Sequence, residues 1–186
     1  MIGKKNVVFG FLLLVVTAAL GPYMVVKYVP GVAEAGAVKQ EKVGRLQQLQ
    51  ENNFEEDLQA LPTDALAKAN TAGILALNLL YNAQAPINAI KSGPHAHGNL
   101  EALLNIAAGI VLCFIAVAPL FKQIISWLFI LGALLHSGLL YLVVALEQYW
   151  VVPFMNLGIG PILMLTALLS MGVAAFIGFK GEPVKD

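Results

Sequence analysis

Residues Gln123–Leu146 read QIISWLFILGALLHSGLLYLVVAL, 24 residues without a charge between Lys122 and Glu147. A helix that crosses a bilayer needs roughly 20 consecutive, mostly apolar residues. This stretch meets that need with one ionisable side chain, His136, near its middle. Working outward, the same criterion selects Asn6–Val26, between Lys5 and Lys27, and Ala102–Phe121, between Glu101 and Lys122. It also selects Gln148–Phe179, which ends at Lys180 and is too long for one span. Pro153, Gly158, Gly160 and Pro161 interrupt that run, so its helix is expected to start near Asn156. The whole chain agrees: of 186 residues, 59% are hydrophobic and 12% charged, with a mean hydropathy of +0.77. Soluble domains hold about 25% charged residues, so a soluble single domain is excluded as the reading. The expected fold is all-α: a polytopic membrane four-helix bundle with spans at about 6–27, 96–120, 123–147 and 156–179.

Eleven basic and eleven acidic residues cancel, which removes a nucleic-acid or polybasic lipid-binding role. One cysteine, Cys113, excludes an internal disulfide and a Cys-based metal knuckle; in its apolar run it reads as a small core residue. The first span has a basic start like a signal peptide. Its apolar run is longer than a signal core and no small-x-small cleavage site stands out, so it reads as a retained anchor. Lys4, Lys5, Lys122, Lys180 and Lys185 fall on one side of a four-span protein, whereas the turn after the third span holds Glu147 and no base. The positive-inside rule then puts both termini in the cytoplasm of what reads as a prokaryotic cell.

Between the first two spans, residues 29–92 are expected to form an extramembrane helical hairpin, an outer cap. Leu46, Leu49, Phe54, Leu58 and Leu61 are spaced as an amphipathic helix. A second helix starts at Thr63-Asp64 after Pro62, with Asn70, Asn78 and Asn82 on one face. It reads as lying on the outer membrane surface, because a fifth span would separate the lysines onto both sides.

Ionisable residues are costly in a membrane and mark function, so the histidines come first. His95 and His97 stand in Ser92-Gly93-Pro94-His95-Ala96-His97-Gly98-Asn99-Leu100-Glu101. Pro94 suits the first position of the second membrane helix, capped by Gly93 or Ser92. The positive end of that helix dipole disfavours imidazolium there, and neutral imidazole is the form that ligates a metal. Glu101 lies at i+4 from His97 and Asn105 one turn further, so the three share a face. Glu101 either hydrogen-bonds His97 or a loop amide, or acts as a proton donor or acceptor beside a ligand. His136 has Gly132 one turn before it, Gly138 after it, and Tyr141 following. If the helices end at common planes, His97 and His136 differ in depth by roughly 15 Å at 1.5 Å per residue, which argues against both serving one haem. Two further readings stay open: a His95-x-His97 chelate for copper or zinc, and a stripe of Thr166, Ser170, Ala174 and Gly178 for close helix packing. Tyr149, Trp150 and Phe154 read as an interfacial belt at one end and Trp127 at the other.

This arrangement resembles the styrene oxide isomerase family of small four-helix haem-binding membrane proteins. The likeness rests on Ala96-His97-Gly98-Asn99, on Val29-Pro30-Gly31 after the first span, and on Ser170-Met171-Gly172 with Ile177-Gly178-Phe179 in the last. It implies haem b with His97 as the axial ligand of the iron, His95 and His136 being the other candidate imidazoles. Ferric haem would then act as a Lewis acid on the oxygen of a small apolar epoxide. Glu101, Tyr141 and Asn105 are the residues expected to position the substrate; Tyr141 falls near a tyrosine that lines the family's pocket. The family's asparagine lies six residues after its histidine, where this chain has Leu103. The partners expected are membrane lipids and further copies of the chain in a homo-oligomer. Two alternatives have other motives. The long outer hairpin and the small-residue stripe suit a non-catalytic subunit of a membrane complex. His95, His97 and Glu101 suit a metal or proton relay.

Overall fold

The computed structural model describes residues 2–56 and 59–184; Leu58 and Lys185, used above, lie outside them. Apart from a two-stranded ribbon and short connections, the described residues are helical. The α-helices are α1 (Lys4–Ala18), α2 (Leu20–Glu51), α3 (Thr63–Ile90), α4 (Ala96–Leu112), α5 (Pro119–Ala133), α6 (Val152–Asn156) and α7 (Ile159–Gly178). Among the described residues, three helical stretches are long and apolar enough to cross a membrane: Lys4–Glu51, Pro119–Ala145 and Ile159–Gly178. The chain divides into two units: Pro22–Asn88, and the described residues up to Gly21 together with those from Ala89 onward.

In the larger unit, α1 runs antiparallel to α4. Its inward face is small or polar: Asn6, Gly10 and Thr17 are buried. A Cβ on Gly10 would lie 2.6 Å from the Ala102 carbonyl oxygen, and one on Gly3 would meet the Gly109 carbonyl. Without side chains in the way, the two backbones approach closely, as membrane helices need when water supplies no driving force. α5 and α7 pair the same way. A Cβ on Gly132 would sit 3.0 Å from the Met164 nitrogen, and one on Gly160 would sit 2.4 Å from the Leu135 carbonyl carbon. Between them lies an apolar core of Ala108, Leu112, Ile115, Ile125, Phe129, Ala133, Met164, Ala167 and Ala174. The packed face of α7 is therefore Gly160, Met164, Ala167, Ala174 and Gly178. Of the stripe read from sequence, Ala174 and Gly178 pack within the chain, Gly178 close against Ala116, whereas Thr166 is exposed and bonds its own helix at Ile162. Cys113 is half-buried.

One end of this unit gathers the basic residues. Lys5 stacks on Trp127 at 4.2 Å. The segment after α7 is pinned by the Lys180 N–H to the Phe114 carbonyl, 2.7 Å, and the Ala116 N–H to the Gly178 carbonyl, 2.7 Å. Lys122, in the first turn of α5, is buried.

The other unit is a helical hairpin: the polar part of α2 and the helix α3, joined by a ribbon pairing Glu55–Glu56 with Gln59–Ala60. α3 starts at Thr63, as expected, and presents Asn70, Asn78 and Asn82 outward. Leu46 packs over Gly73, and Arg45 pairs with Glu56 at 3.1 Å.

The helix boundaries agree with expectation in part. The first helix does not stop at Val29-Pro30-Gly31; Pro30 lies inside α2 and is exposed, so its ring projects outward and the helix continues. The second membrane helix opens at Pro94 as expected, after a break in the helical torsions at Gly93. The chain passes from α3 through a π turn, Lys91–His95, into α4, with non-helical torsions only at Gly93 (φ −92°, ψ −108°). A residue before proline is pushed out of the α region, and glycine absorbs this at least cost. The third helix begins at Pro119 rather than 123 and carries two π turns, Leu134–Gly138 and Tyr141–Ala145. The last begins at Ile159 behind Gly158, whose φ of +65° favours glycine.

Candidate functional site

The site forms where α4 leaves its kink and meets the π turns of the third helix. The turns Lys91–His95 and Leu134–Gly138 pack together, and both contact Tyr141–Ala145. A π turn widens the helix and re-aims its side chains; such turns recur at functional sites.

Glu101 projects inward from α4, with its side chain 4% exposed. Its Oε1 lies 2.5 Å from His136 Nδ1, and its Oε2 accepts the Ser137 N–H at 3.4 Å. His97, one turn earlier on α4, is exposed on the outer side of the chain. Its ring sits against His136, with centroids 4.8 Å apart and planes tilted by 56°. Glu101, His136 and His97 thus run from the buried interior to the surface.

The depth difference of roughly 15 Å expected from the helix rise is not found: His97 follows closely on the break at Gly93, yet its ring meets that of His136, so the helices do not end at common planes.

The remaining candidates lie elsewhere in the unit. His95, half-buried, directs Nδ1 at the Thr17 carbonyl, 2.9 Å away. A carbonyl only accepts, so Nδ1 is the donor in this contact. Tyr141, half-buried, opens the last π turn about one helical turn beyond His136. Asn105 shares a helix face with Glu101 but reaches the core. It donates to the Glu101 carbonyl (3.0 Å) and the Phe129 carbonyl (3.2 Å), and accepts from Asn6 (3.1 Å). Asn6 also donates to the Ser126 carbonyl at 3.0 Å and accepts from the Ser126 hydroxyl. Thr17 donates to Asn99 Oδ1 at 2.7 Å. These bonds tie α1, α4 and α5 together and satisfy groups that lipid could not.

No family model, curated protein or solved structure matches the chain.

Asn6, Thr17, Asn99 and Ser126 were not singled out in the sequence. A signal for two of them exists there: Gly3, Asn6, Gly10 and Thr17 follow a repeat of 3 and 4, the seam of a closely packed helix pair. The His95–His97 chelate and the His95, His97 and Glu101 relay do not assemble. His95 turns to Thr17 and Glu101 to His136, and among the described residues no three His, Cys, Asp or Glu side chains converge on an ion position.

A haem makes a smaller demand, one axial nitrogen and an apolar face. His97 offers the nitrogen, and the exposed Leu100 and Leu103 on the same helix offer apolar surface. The touching rings of His97 and His136 leave no gap for a porphyrin between them, so a haem on His97 would lie outward of it.

Proposed function

We propose that the chain is a four-span membrane protein that binds haem b through His97 and acts on a small apolar epoxide. The observation that carries this reading is an exposed imidazole, His97, backed by a second imidazole that a buried carboxylate holds in place. A protein that ligates iron through histidine supports that ligand from behind with hydrogen-bonding groups. The resemblance of Ala96-His97-Gly98-Asn99 to the motif of styrene oxide isomerases points to the same residue.

The fourth span in this reading is α4. Its 17 residues rise about 25 Å at 1.5 Å each, and the π turn before it extends the helical stretch. The shared location of Lys4, Lys5, Lys122 and Lys180 supports a cytoplasmic position for both termini. Because His97 faces out of the chain, a second copy is the proposed cover for the haem, which makes the homo-oligomer part of the site.

When bound, ferric haem supplies a Lewis acid that draws electron density from an epoxide oxygen. The residues of this chain hold and orient. His97 fixes the cofactor, Glu101 and His136 fix His97, and Tyr141, about one helical turn beyond His136, offers a hydroxyl for the substrate. The apolar surroundings exclude water from a cationic intermediate of the substrate.

The test is the visible spectrum of the detergent-purified full chain expressed with haem supplied, before and after dithionite. A band near ~410 nm that shifts on reduction is expected for histidine-ligated haem. His97→Ala should lose it and His95→Ala should keep it. A flat spectrum, or a His97→Ala protein with full haem, overturns the reading.

A further inference from the structure

We propose that Glu101 and His136 form a relay behind His97, in which His136 accepts the N–H that His97 has left when its other nitrogen ligates iron. The inference rests on the haem reading above and deepens it.

A ligating imidazole uses one nitrogen for the metal and carries a proton on the other, and that N–H is commonly given to a carboxylate, a carbonyl or water. Glu101, on the same helix, is already engaged: Oε1 with His136 Nδ1 and Oε2 with the Ser137 N–H. In the relay His136 Nδ1 is the donor to Glu101, and the Nε2 of a neutral His136 ring is the acceptor turned to His97. His136 is also the ring in contact with His97, at 4.8 Å between centroids. Exposure rises outward along the series: 4% for the Glu101 side chain, 22% for His136, and an exposed His97. The acceptor that His97 needs is thus a nitrogen keyed from the interior by a buried charge.

Such a relay has an electronic consequence. Partial transfer of the His97 proton toward His136 makes His97 a more basic ligand, and a more basic axial ligand favours ferric over ferrous iron. The ferric state is the one the proposed Lewis-acid role requires. Glu101 and His136 are positioning residues here, acting through His97.

The experiment uses the full chain in detergent, reconstituted with hemin. It measures the haem midpoint potential by spectroelectrochemistry and hemin affinity by titration. Glu101→Gln keeps the size but removes the charge, Glu101→Asp keeps the charge, and His136→Phe keeps a ring but no acceptor. Expected are a potential shifted in the positive direction and hemin affinity about 10–100-fold weaker in Glu101→Gln and His136→Phe. Glu101→Asp should retain most of both. If Glu101→Gln fails to fold, His136→Phe decides alone. A wild-type protein that holds haem, with variants unchanged in potential and affinity, overturns the relay and leaves the haem reading standing. A wild-type protein that takes up no hemin overturns both.

Discussion

Gly160 offers the sharpest test of how the site is held. It lies in the first turn of α7, against the segment of the third helix that carries His136. A Cβ at this position would sit 2.4 Å from the Leu135 carbonyl carbon and 2.5 Å from the His136 nitrogen, against 3.4 Å for the near edge of ordinary contact. These are backbone atoms, and no rotamer change relieves the clash. Gly160→Ala must therefore move α7 off the third helix by about an ångström. Overpacking of this kind costs about 1–3 kcal/mol, offset by the fraction of a kcal/mol that alanine gains within a helix. Gly172, on the same helix, has nothing within 4 Å, so Gly172→Ala is the matched control and should be neutral or slightly stabilising. Thermal unfolding of the purified protein in one detergent, followed by circular dichroism, measures both. A net cost of about 0.5–2.5 kcal/mol, at about 2–4 °C per kcal/mol for a chain of this size, should melt Gly160→Ala roughly 1–10 °C below wild type. Because the displaced segment includes His136, the variant should also bind hemin more weakly. Equal melting temperatures for the two glycine variants would refute the close approach and the packing scheme drawn from it.

Three other expectations can be measured in the same detergent. Thr17→Val preserves shape against Gly98 but removes the bond to Asn99; a membrane hydrogen bond averages about 0.6 kcal/mol and reaches about 1.7, so a small drop in melting temperature is expected. Asn105→Ala strips the core network and leaves Asn6 and two carbonyls short of partners, which should cost about 1–3 kcal/mol. With Cys113 replaced by alanine, a cysteine at Glu147 should react in whole cells with a membrane-impermeant maleimide, whereas one at Glu182 should react only after lysis. Reaction of both in intact cells would refute the four-span orientation.

The bilayer class was legible because it rests on composition. Charge-free runs such as Gln123–Leu146 have one low-cost environment, whatever their neighbours. The start of α3 at Thr63 and that of α7 beside Gly158 were local matters of capping and backbone freedom, so they too could be read from a few residues. Continuity was harder. Pro30 and Pro94 are both breakers by local rule, yet Pro30 sits exposed within a continuous helix, whereas the torsions do break at Gly93 before Pro94. Whether a helix bends or stops depends on what receives its freed carbonyls, and that is tertiary information.

The site divides along the same line. The sequence alone determined that His97, Glu101 and His136 are ionisable groups in apolar surroundings, because the cost of burying charge is a property of the residue. It also put His97 and Glu101 on one face, since a helical turn fixes i and i+4. It could not bring His136 to them. That depends on the kink at Gly93, the π turns of the third helix and the missing side chain of Gly160, which together set the level at which two helices meet. The same holds for Asn105: its sequence position gave it to the site, and the contacts of Asn6 and Ser126 gave it to the core. Spacing along a chain fixes direction about one helix axis; only packing fixes how far along that axis a neighbour stands.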